Sequence, residues 1–221
     1  MQIASFIDHT ILKPTTTVAD IEKLCLEAVE YQFAAVCVPP PFVKRCKILL
    51  GPTDVKVATV VGFPFGYAAT ESKLAETLLA LVDGADEIDM VINLVALKMN
   101  DTTFLENEVR ILADTVHQKN KLIKVIIESG ILSDEEIITC CRIFAPLGID
   151  FMKTSTGYAE KGATVEAVQL MRKNLPLTVK IKASGGIRNY EFAKQLVDAG
   201  AERLGCSASV AIVKGEEGAG Y

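Results

Sequence analysis

The amino-acid sequence predicts a TIM (β/α)8 barrel that forms one domain over residues 1–221, with a short flexible tail at about 215–221. Eight short apolar segments alternate with segments whose apolar residues recur at helical spacing. From Asp8 in the first segment to Gly205 in the eighth there are 197 residues in seven steps, about 28 per step, close to the length of a βαβ unit. A helix-ending glycine lies five residues before each of Asp89, Lys153 and Gly205, which indicates equal depth in one sheet.

Each strand is predicted from an apolar or β-branched run that is bounded by turn residues. The fifth run is almost wholly apolar, as is usual for a parallel strand that is buried on both faces. In chain order, the predicted strands are Ile7–Leu12, Ala34–Val38, Val57–Val61, Glu87–Asn93, Ile123–Glu128, Phe151–Thr156, Val179–Lys182 and Arg203–Ser207.

The helices between these strands are predicted from their N-terminal caps and apolar faces. Thr17 with Asp20, and Ser133 with Glu136, have the spacing of a capping box, and Asn189 is a further N-cap candidate. The predicted apolar faces are Ile21, Leu24, Cys25, Ala28 and Val29; Leu74, Leu78, Leu81 and Val82; Val109, Leu112, Ala113 and Val116; and Phe192, Leu196 and Val197.

The rival fold is an open, doubly wound sheet. That fold rarely needs eight uninterrupted repeats, and the sequence contains neither GxGxxG nor GxxxxGK[ST], the nucleotide-binding patterns of such sheets. We therefore expect the closed barrel.

Composition argues against several classes of protein. The net charge is -5 and no basic run occurs, so we expect no nucleic-acid partner. No apolar segment approaches the roughly 18 residues of a spanning helix, and the N-terminus lacks a signal-type core, so we expect no membrane association and a cytoplasmic location. The six cysteines lack metal-type or disulfide-framework spacing, and there are only two histidines, so we expect reduced core thiols and no metal site.

Two lysines stand inside predicted strands. Burying an ammonium ion is costly, so the group must find a partner, reach water, or titrate toward the neutral amine, which is the nucleophilic form. If Lys153 and Lys182 line one cavity, their repulsion lowers the pKa of one of them, and that amine can attack a carbonyl. Taken alone, either lysine can equally be a snorkelling surface residue.

Further polar residues lie within or at the ends of predicted strands, where a barrel gathers its active site. Together with the two lysines they are Asp8, Asp89, Glu128 and Ser207. So many buried charges would be costly without a shared function, although a structural ion-pair network remains the alternative.

Two glycine-containing turns, Gly185–Arg188 and Gly205–Ser209, follow the last two predicted strands and precede helices. Their backbone N–H groups can point at a phosphate, which barrels commonly hold after strands seven and eight. A pair of glycines alone is more often only a turn, so the position carries the argument. The candidate phosphate-binding residues are Gly185, Gly186, Arg188, Gly205 and Ser207.

Several segments resemble the motifs of deoxyribose-phosphate aldolases. They are Asp86–Ile92, Lys124–Glu128, Phe151–Gly157 and Lys182–Arg188, with Asp8–Thr10, Ala34–Val38 and Gly62–Pro64 in the same order as in that family. The resemblance spans most of the chain.

That resemblance implies a class I aldolase without metal or cofactor, which reversibly cleaves 2-deoxyribose 5-phosphate to glyceraldehyde 3-phosphate and acetaldehyde. It implies that Lys153 forms the Schiff base, Lys182 is the neighbouring cation and Asp89 relays protons. Two positions depart from the family pattern: Tyr158 stands where some members have lysine, and Ala208 where some have a second serine or a glycine.

Four further expectations concern the site and its partners. Asp8 and Gly157 are expected to contact the sugar phosphate. Cys37 is either a packing residue or a reactive thiol. Tyr221 either belongs to a frayed terminus or folds over the barrel mouth as a proton carrier. A homo-oligomer, most simply a dimer, is expected. Two other functions stay open: a Schiff-base aldolase for another sugar phosphate, and a sugar-phosphate-binding barrel without catalysis.

Overall fold

Eight parallel strands pair in sequence order and close into a barrel, which confirms the expected TIM architecture. The computed structural model describes residues 3–218. The strands are β1 (Ile7–Thr10), β2 (Ala35–Val38), β3 (Lys56–Val61), β4 (Glu87–Val91), β5 (Leu122–Ile126), β6 (Phe151–Lys153), β7 (Lys180–Ser184) and β8 (Arg203–Cys206).

The helices follow the strands around the outside of the barrel. They are α1 (Val18–Glu30), α2 (Val43–Leu50), α3 (Thr70–Val82), α4 (Leu94–Lys98), α5 (Thr102–His117), α6 (Asp134–Phe144), α7 (Val165–Asn174), α8 (Tyr190–Asp198) and α9 (Ser209–Lys214). No helix within residues 3–218 is both long and apolar enough to cross a bilayer.

The strand predictions run too far at several C-terminal ends. β1 ends at Thr10, β4 at Val91, β5 at Ile126 and β6 at Lys153, two or three residues before the predicted ends. The first residue beyond each of these ends still donates a hydrogen bond to the neighbouring strand, as Ile127 N–H does to the carbonyl of Lys153 at 3.1 Å, and the chain then leaves the sheet to build the loops at the barrel mouth. Asn93, for example, accepts a hydrogen bond from the backbone N–H of Ala96 and caps α4.

Capping predictions are confirmed, because both capping boxes and the Asn189 cap are formed. The predicted apolar face of α3 is wrong at Leu78 and Val82, whereas Leu81 packs against the core as expected. Leu78 is 43% exposed and Val82 is 82% exposed, while Lys73, Thr77 and Ala80 face the interior. The reason is a long-range partner: Lys73 Nζ lies 2.9 Å from Glu108 of α5 and donates to the carbonyl of Val91 at 2.8 Å.

Three glycines turn the chain before alternate strands. Gly84, Gly148 and Gly200 have φ values of +102°, +73° and +115°, a region that side chains with a Cβ rarely adopt. They precede β4, β6 and β8, so the repeat that the sequence shows corresponds to one turn geometry used three times.

The barrel interior is divided between apolar and charged side chains. On β2 and β3 it holds a small apolar cluster of Ala35, Cys37, Ala58 and Val60. The other strands contribute buried charged residues, which build the candidate site described below. The large hydrophobic core lies outside, between the sheet and the helices.

The buried pair of Lys73 and Glu108 gives a test of this packing. Lys73→Met leaves the Glu108 carboxylate buried without a cation, so we expect the free energy of unfolding to fall by roughly 3–5 kcal/mol. Lys194→Met removes the exposed partner of Asp198 and should change the free energy of unfolding much less, because solvent screens that pair. Urea denaturation of both variants measures the difference, and equal losses would contradict the structural role of Lys73.

Candidate active site

A cavity of about 50 Å³ opens at the C-terminal end of the barrel, where the ends of the parallel strands meet. It is lined by Thr10, Leu12, Lys153, Thr156, Gly157, Ser184, Gly185, Gly186, Ile187, Arg188, Gly205 and Ser207. The structure therefore brings Lys153 together with six of the predicted ligand-binding residues.

Lys153 is the last residue of β6 and is paired in register with Ile126 on one side and Lys182 on the other. Only 2% of the residue is exposed, and its Nζ lies 2.8 Å from Asp89 Oδ2. Burial lowers the pKa of Lys153, and the positive charge of Lys182 acts in the same direction, while Asp89 opposes the shift. Lys153 is therefore an amine that gives up its proton more easily than a free lysine.

Lys182 has the opposite tendency, although it lies on the next strand at the same level. Its Nζ is bound by Asp8 and lies 2.7 Å from Asp89 Oδ2. Burial alone would lower its pKa, but the two carboxylates outweigh burial and raise it. The geometry thus separates two lysines that composition cannot distinguish: the pKa of Lys182 is raised, whereas that of Lys153 is lowered.

Asp89 is the anion that all three interior lysines share. Its Oδ1 accepts from Lys124 at 2.6 Å, and its Oδ2 accepts from Lys153 at 2.8 Å and Lys182 at 2.7 Å. Burial disfavours the ionised carboxyl, but the three ammonium groups outweigh burial and hold the pKa of Asp89 well below its usual range. Asp89 is therefore ionised over the whole physiological range of pH.

Sequence reasoning did not select three further charged residues of the interior. Lys124 Nζ lies 2.6 Å from Glu87, and Arg203 Nη1 lies 3.0 Å from Glu87 and 2.7 Å from Asp8. A signal was present, because Lys124 interrupts an otherwise apolar strand and Glu87 is two residues before Asp89, on the same side of β4. Both positions satisfy the rule that selected the two lysines.

Glu128, in contrast, does not join these charges. It lies in the loop after β5 with a φ of +55°. Its carboxylate accepts from the backbone N–H of Thr156 at 3.2 Å and from the Thr156 hydroxyl. Burial raises the pKa of Glu128. Its observed role is to hold the start of the Thr156–Gly157 turn at the cavity wall.

The turns after β6 and β7 pack directly against each other. Gly185 and Gly186 both have positive φ values, +86° and +77°. A Cβ on Gly185 would meet the Cα of Gly162 at 3.0 Å, whereas a Cβ on Gly186 would meet nothing within 4 Å. Ser184 Oγ donates to the carbonyl of Ser155 at 2.6 Å and fastens the two turns together.

Tyr158 forms part of the rim at the position where some family members have lysine. Its hydroxyl donates to the carbonyl of Leu12 at 2.8 Å, and its ring meets Phe63 edge-on with centroids 5.4 Å apart. The departure from the family pattern therefore replaces a cation by an aromatic side chain that connects the loops after β1, β3 and β6.

The other predicted site residues lie elsewhere. Asp8 does not line the cavity but lies below it, bound to Lys182 and Arg203. Cys37 is fully buried, and burial raises the pKa of its thiol, so the thiol is protonated and inaccessible in this conformation. Tyr221 is outside the described residues. The described part of the predicted tail reaches Gly218, whose backbone N–H donates to the carbonyl of Arg188 at 2.9 Å.

Comparison with known proteins is consistent across sequence and structure. A model of the DeoC/LacD family aldolases matches residues 3–215. The chain is 52% identical over 213 residues to the deoxyribose-phosphate aldolase of Caldicellulosiruptor saccharolyticus, covering 96% of this chain and 97% of that protein. For the deoxyribose-phosphate aldolase of Streptococcus gordonii the identity is 47% over 220 residues, covering 100% and 99%.

A solved structure agrees. The deoxyribose phosphate aldolase of Aeropyrum pernix, described as tetrameric, superposes with a TM-score of 0.90 at 32% identity, covering 96% of this chain and 89% of that chain. The resemblance expected from the motifs is therefore confirmed: this chain belongs to the DeoC/LacD aldolase family and is an enzyme of the lyase class.

Proposed function

We propose that the enzyme reversibly cleaves 2-deoxy-D-ribose 5-phosphate to D-glyceraldehyde 3-phosphate and acetaldehyde through a Schiff base on Lys153. One observation carries the proposal: within residues 3–218, Lys153 is the interior lysine that both lines the cavity and has its pKa lowered. The names of the relatives supply the sugar, since both sequence relatives described above are deoxyribose-phosphate aldolases.

The first step is attack of neutral Lys153 on the substrate aldehyde, followed by loss of water to give an iminium ion. The bond between the second and third carbons then breaks, and its electron pair moves onto the iminium nitrogen to give an enamine. The third-carbon hydroxyl loses its proton as it becomes the aldehyde of the phosphorylated product. Protonation of the enamine carbon and hydrolysis release acetaldehyde and restore the amine.

Asp89 and Lys182 support these steps from below the cavity. Asp89 Oδ2 contacts the Nζ atoms of both Lys153 and Lys182. Asp89 and Lys182 therefore lie beside the nitrogen on which charge develops and disappears during the reaction. We assign Asp89 to proton transfer through a water between the carboxylate and the substrate. Lys182 is the fixed cation that disfavours a proton on Lys153.

The phosphate is assigned to the turns after β7 and β8. Gly186, Arg188 and Ser207 line the same cavity as Lys153. Arg188 supplies positive charge, and the two glycines allow the backbone to approach an anion closely. Ala208 lacks the hydroxyl of the serine that some family members have at this position. Tyr158 lacks the positive charge of the lysine that some members have there. We therefore assign phosphate recognition to the remaining backbone N–H groups, the Ser207 hydroxyl and Arg188.

For quaternary structure and location, we propose a homo-oligomer in the cytoplasm, with a dimer as the simplest closed form. Large apolar side chains are exposed on two neighbouring helices, with Ile48 of α2 74% exposed and Val82 of α3 82% exposed. The six cysteines are free thiols, as is usual for proteins of a reducing compartment.

The covalent role of Lys153 can be tested by borohydride reduction in the presence of acetaldehyde. We expect a stable mass increase on the peptide that contains Lys153, a weaker increase in Lys182→Leu and none in Lys153→Leu. Peptide mass spectrometry locates the label. Label on Lys182 would exchange the two roles. Absence of any label would favour a non-catalytic barrel, and a label with no turnover of deoxyribose 5-phosphate would favour an aldolase for another sugar phosphate.

The role of Asp89 can be separated from simple charge compensation. Asp89→Asn keeps the shape but removes the base, so turnover should fall by about 10²–10⁴-fold while the circular dichroism spectrum stays native. Borohydride trapping should persist at pH 7, because loss of the anion makes the neutral amine of Lys153 more favourable. Near-normal turnover in this variant would leave Asp89 as an ion-pair partner only.

The phosphate assignment predicts a substrate-dependent effect at Ser207. Ser207→Glu places a negative charge at the cavity wall, so the KM for deoxyribose 5-phosphate should rise at least about tenfold, which corresponds to about 1.4 kcal/mol. The KM for unphosphorylated deoxyribose should change much less. Ser207→Gln, which is similar in size but uncharged, is the control. Equal losses for both substrates in Ser207→Glu would place the phosphate elsewhere.

A further inference from the structure

Six charged side chains of the barrel interior form a closed ring in which cations and anions alternate. Going around the ring, the members are Asp8, Arg203, Glu87, Lys124, Asp89 and Lys182, after which the ring returns to Asp8. We call this set the charge ring. Every member has an opposite charge on each side, so the ring as a whole is neutral.

Lys153 is attached to this ring but is not part of it. Its ion pair in the described structure is with Asp89 Oδ2, an oxygen that Lys182 also uses. The other oxygen of Asp89 is taken by Lys124. Lys153 therefore shares a carboxylate that already has two ring cations, Lys124 and Lys182, as partners. When Lys153 is protonated, the ring and Lys153 together carry one net positive charge.

We propose that Glu87, Lys124 and Arg203 are positioning residues for Lys153, because they close a neutral ring that leaves Lys153, within residues 3–218, as the one amine of the barrel interior without a carboxylate of its own. The catalytic meaning of this proposal rests on the proposed function. The predicted charge state of Lys153 is independent of the proposed function, because it can be measured without turnover.

The titration behaviour of the ring cations agrees with the geometry. For Lys124, burial disfavours the charged form, but Asp89 and Glu87 outweigh burial and raise its pKa. The same holds for Arg203, where Asp8 and Glu87 outweigh burial. Lys153 is nearly as deeply buried as Lys124 but has its pKa lowered. Burial therefore does not distinguish these amines, whereas the number of carboxylate partners does.

Other elements contribute little charge beside Lys153. β3 presents Ala58 and Val60, which cannot titrate. Cys37 of β2 is a thiol whose pKa burial raises, and Glu128 after β5 is engaged by Thr156. The groups that interact with Lys153 are Cys37 from β2, Asp89 from β4, Glu128 from the loop after β5 and Lys182 from β7. Lys124 from β5 and Asp8 from β1 lie one ion pair further away, bound to Asp89 and to Lys182.

The proposal predicts opposite effects for two substitutions that do not touch Lys153. Lys124→Met removes a ring cation, so a proton on Lys153 restores neutrality and the titration midpoint of Lys153 should rise by about one pH unit or more. Glu87→Gln removes a ring anion, so the midpoint should fall by a similar amount. The double variant removes one charge of each sign, and its midpoint should return toward that of the parent protein.

The midpoint can be read from the Cε chemical shift of Lys153 in protein labelled with [ε-¹³C]lysine, assigned by its loss in Lys153→Leu. Lys180→Met is the control, because Lys180 is a cation of β7, the strand beside β6, that is exposed and outside the charge ring. It should leave the midpoint unchanged. If Lys124→Met does not fold, Glu87→Gln and the double variant still decide, since in the double variant every remaining ring charge keeps an opposite partner.

Midpoints that do not move, or that move in the same direction in both single variants, would overturn the proposal. Opposite shifts in a protein that forms no adduct with acetaldehyde would support the charge ring and contradict the proposed function. An adduct on Lys153 together with unmoved midpoints would support the function and overturn the proposal. In an active enzyme, the acid limb of the kcat/KM profile should move with the midpoint.

Discussion

The cost of placing charge inside a barrel is the constraint on which this structure depends. An isolated ammonium or carboxylate in such an interior would either lose its charge or destabilise the fold. Six charges avoid that cost by alternating around a closed ring, in which each has two opposite partners. A seventh, Lys153, must then be accommodated without a carboxylate of its own. The arrangement that pairs these six charges therefore leaves Lys153 to share Asp89 with two other cations.

Much of the fold could be predicted because its determinants are local. Capping boxes at Thr17 and Ser133, and the turn glycines before β4, β6 and β8, act over a few residues and are visible in the sequence. The face of α3 could not be predicted in the same way. Lys73 is buried because Glu108 lies opposite it, 35 residues away, and no local pattern reports that pairing.

The site shows the same division between local and long-range information. Lys153 and Lys182 stand out because an amine inside a strand needs an explanation wherever the strand lies. Glu87 and Arg203 were not selected, because they lie near the N-terminal ends of their strands and meet only across the barrel, 116 residues apart in sequence. Their importance follows from closure of the ring. Closure depends on the pairing of β8 with β1, which alternation within one strand does not encode.

The contact between the turns after β6 and β7 limits how this cavity can be reshaped. Gly185 is within 3.4 Å of the Cα of Gly157 and within 3.0 Å of that of Gly162, measured from where its Cβ would be. A side chain on that glycine would separate two turns that also carry Lys153 and the proposed phosphate site. Leu12, in the loop after β1, lines the same cavity with a side chain and has no such glycine contact. Evolutionary or engineered change in substrate range is therefore easier at lining side chains such as Leu12 than at the glycine contact between the turns after β6 and β7, where backbone packing leaves no room.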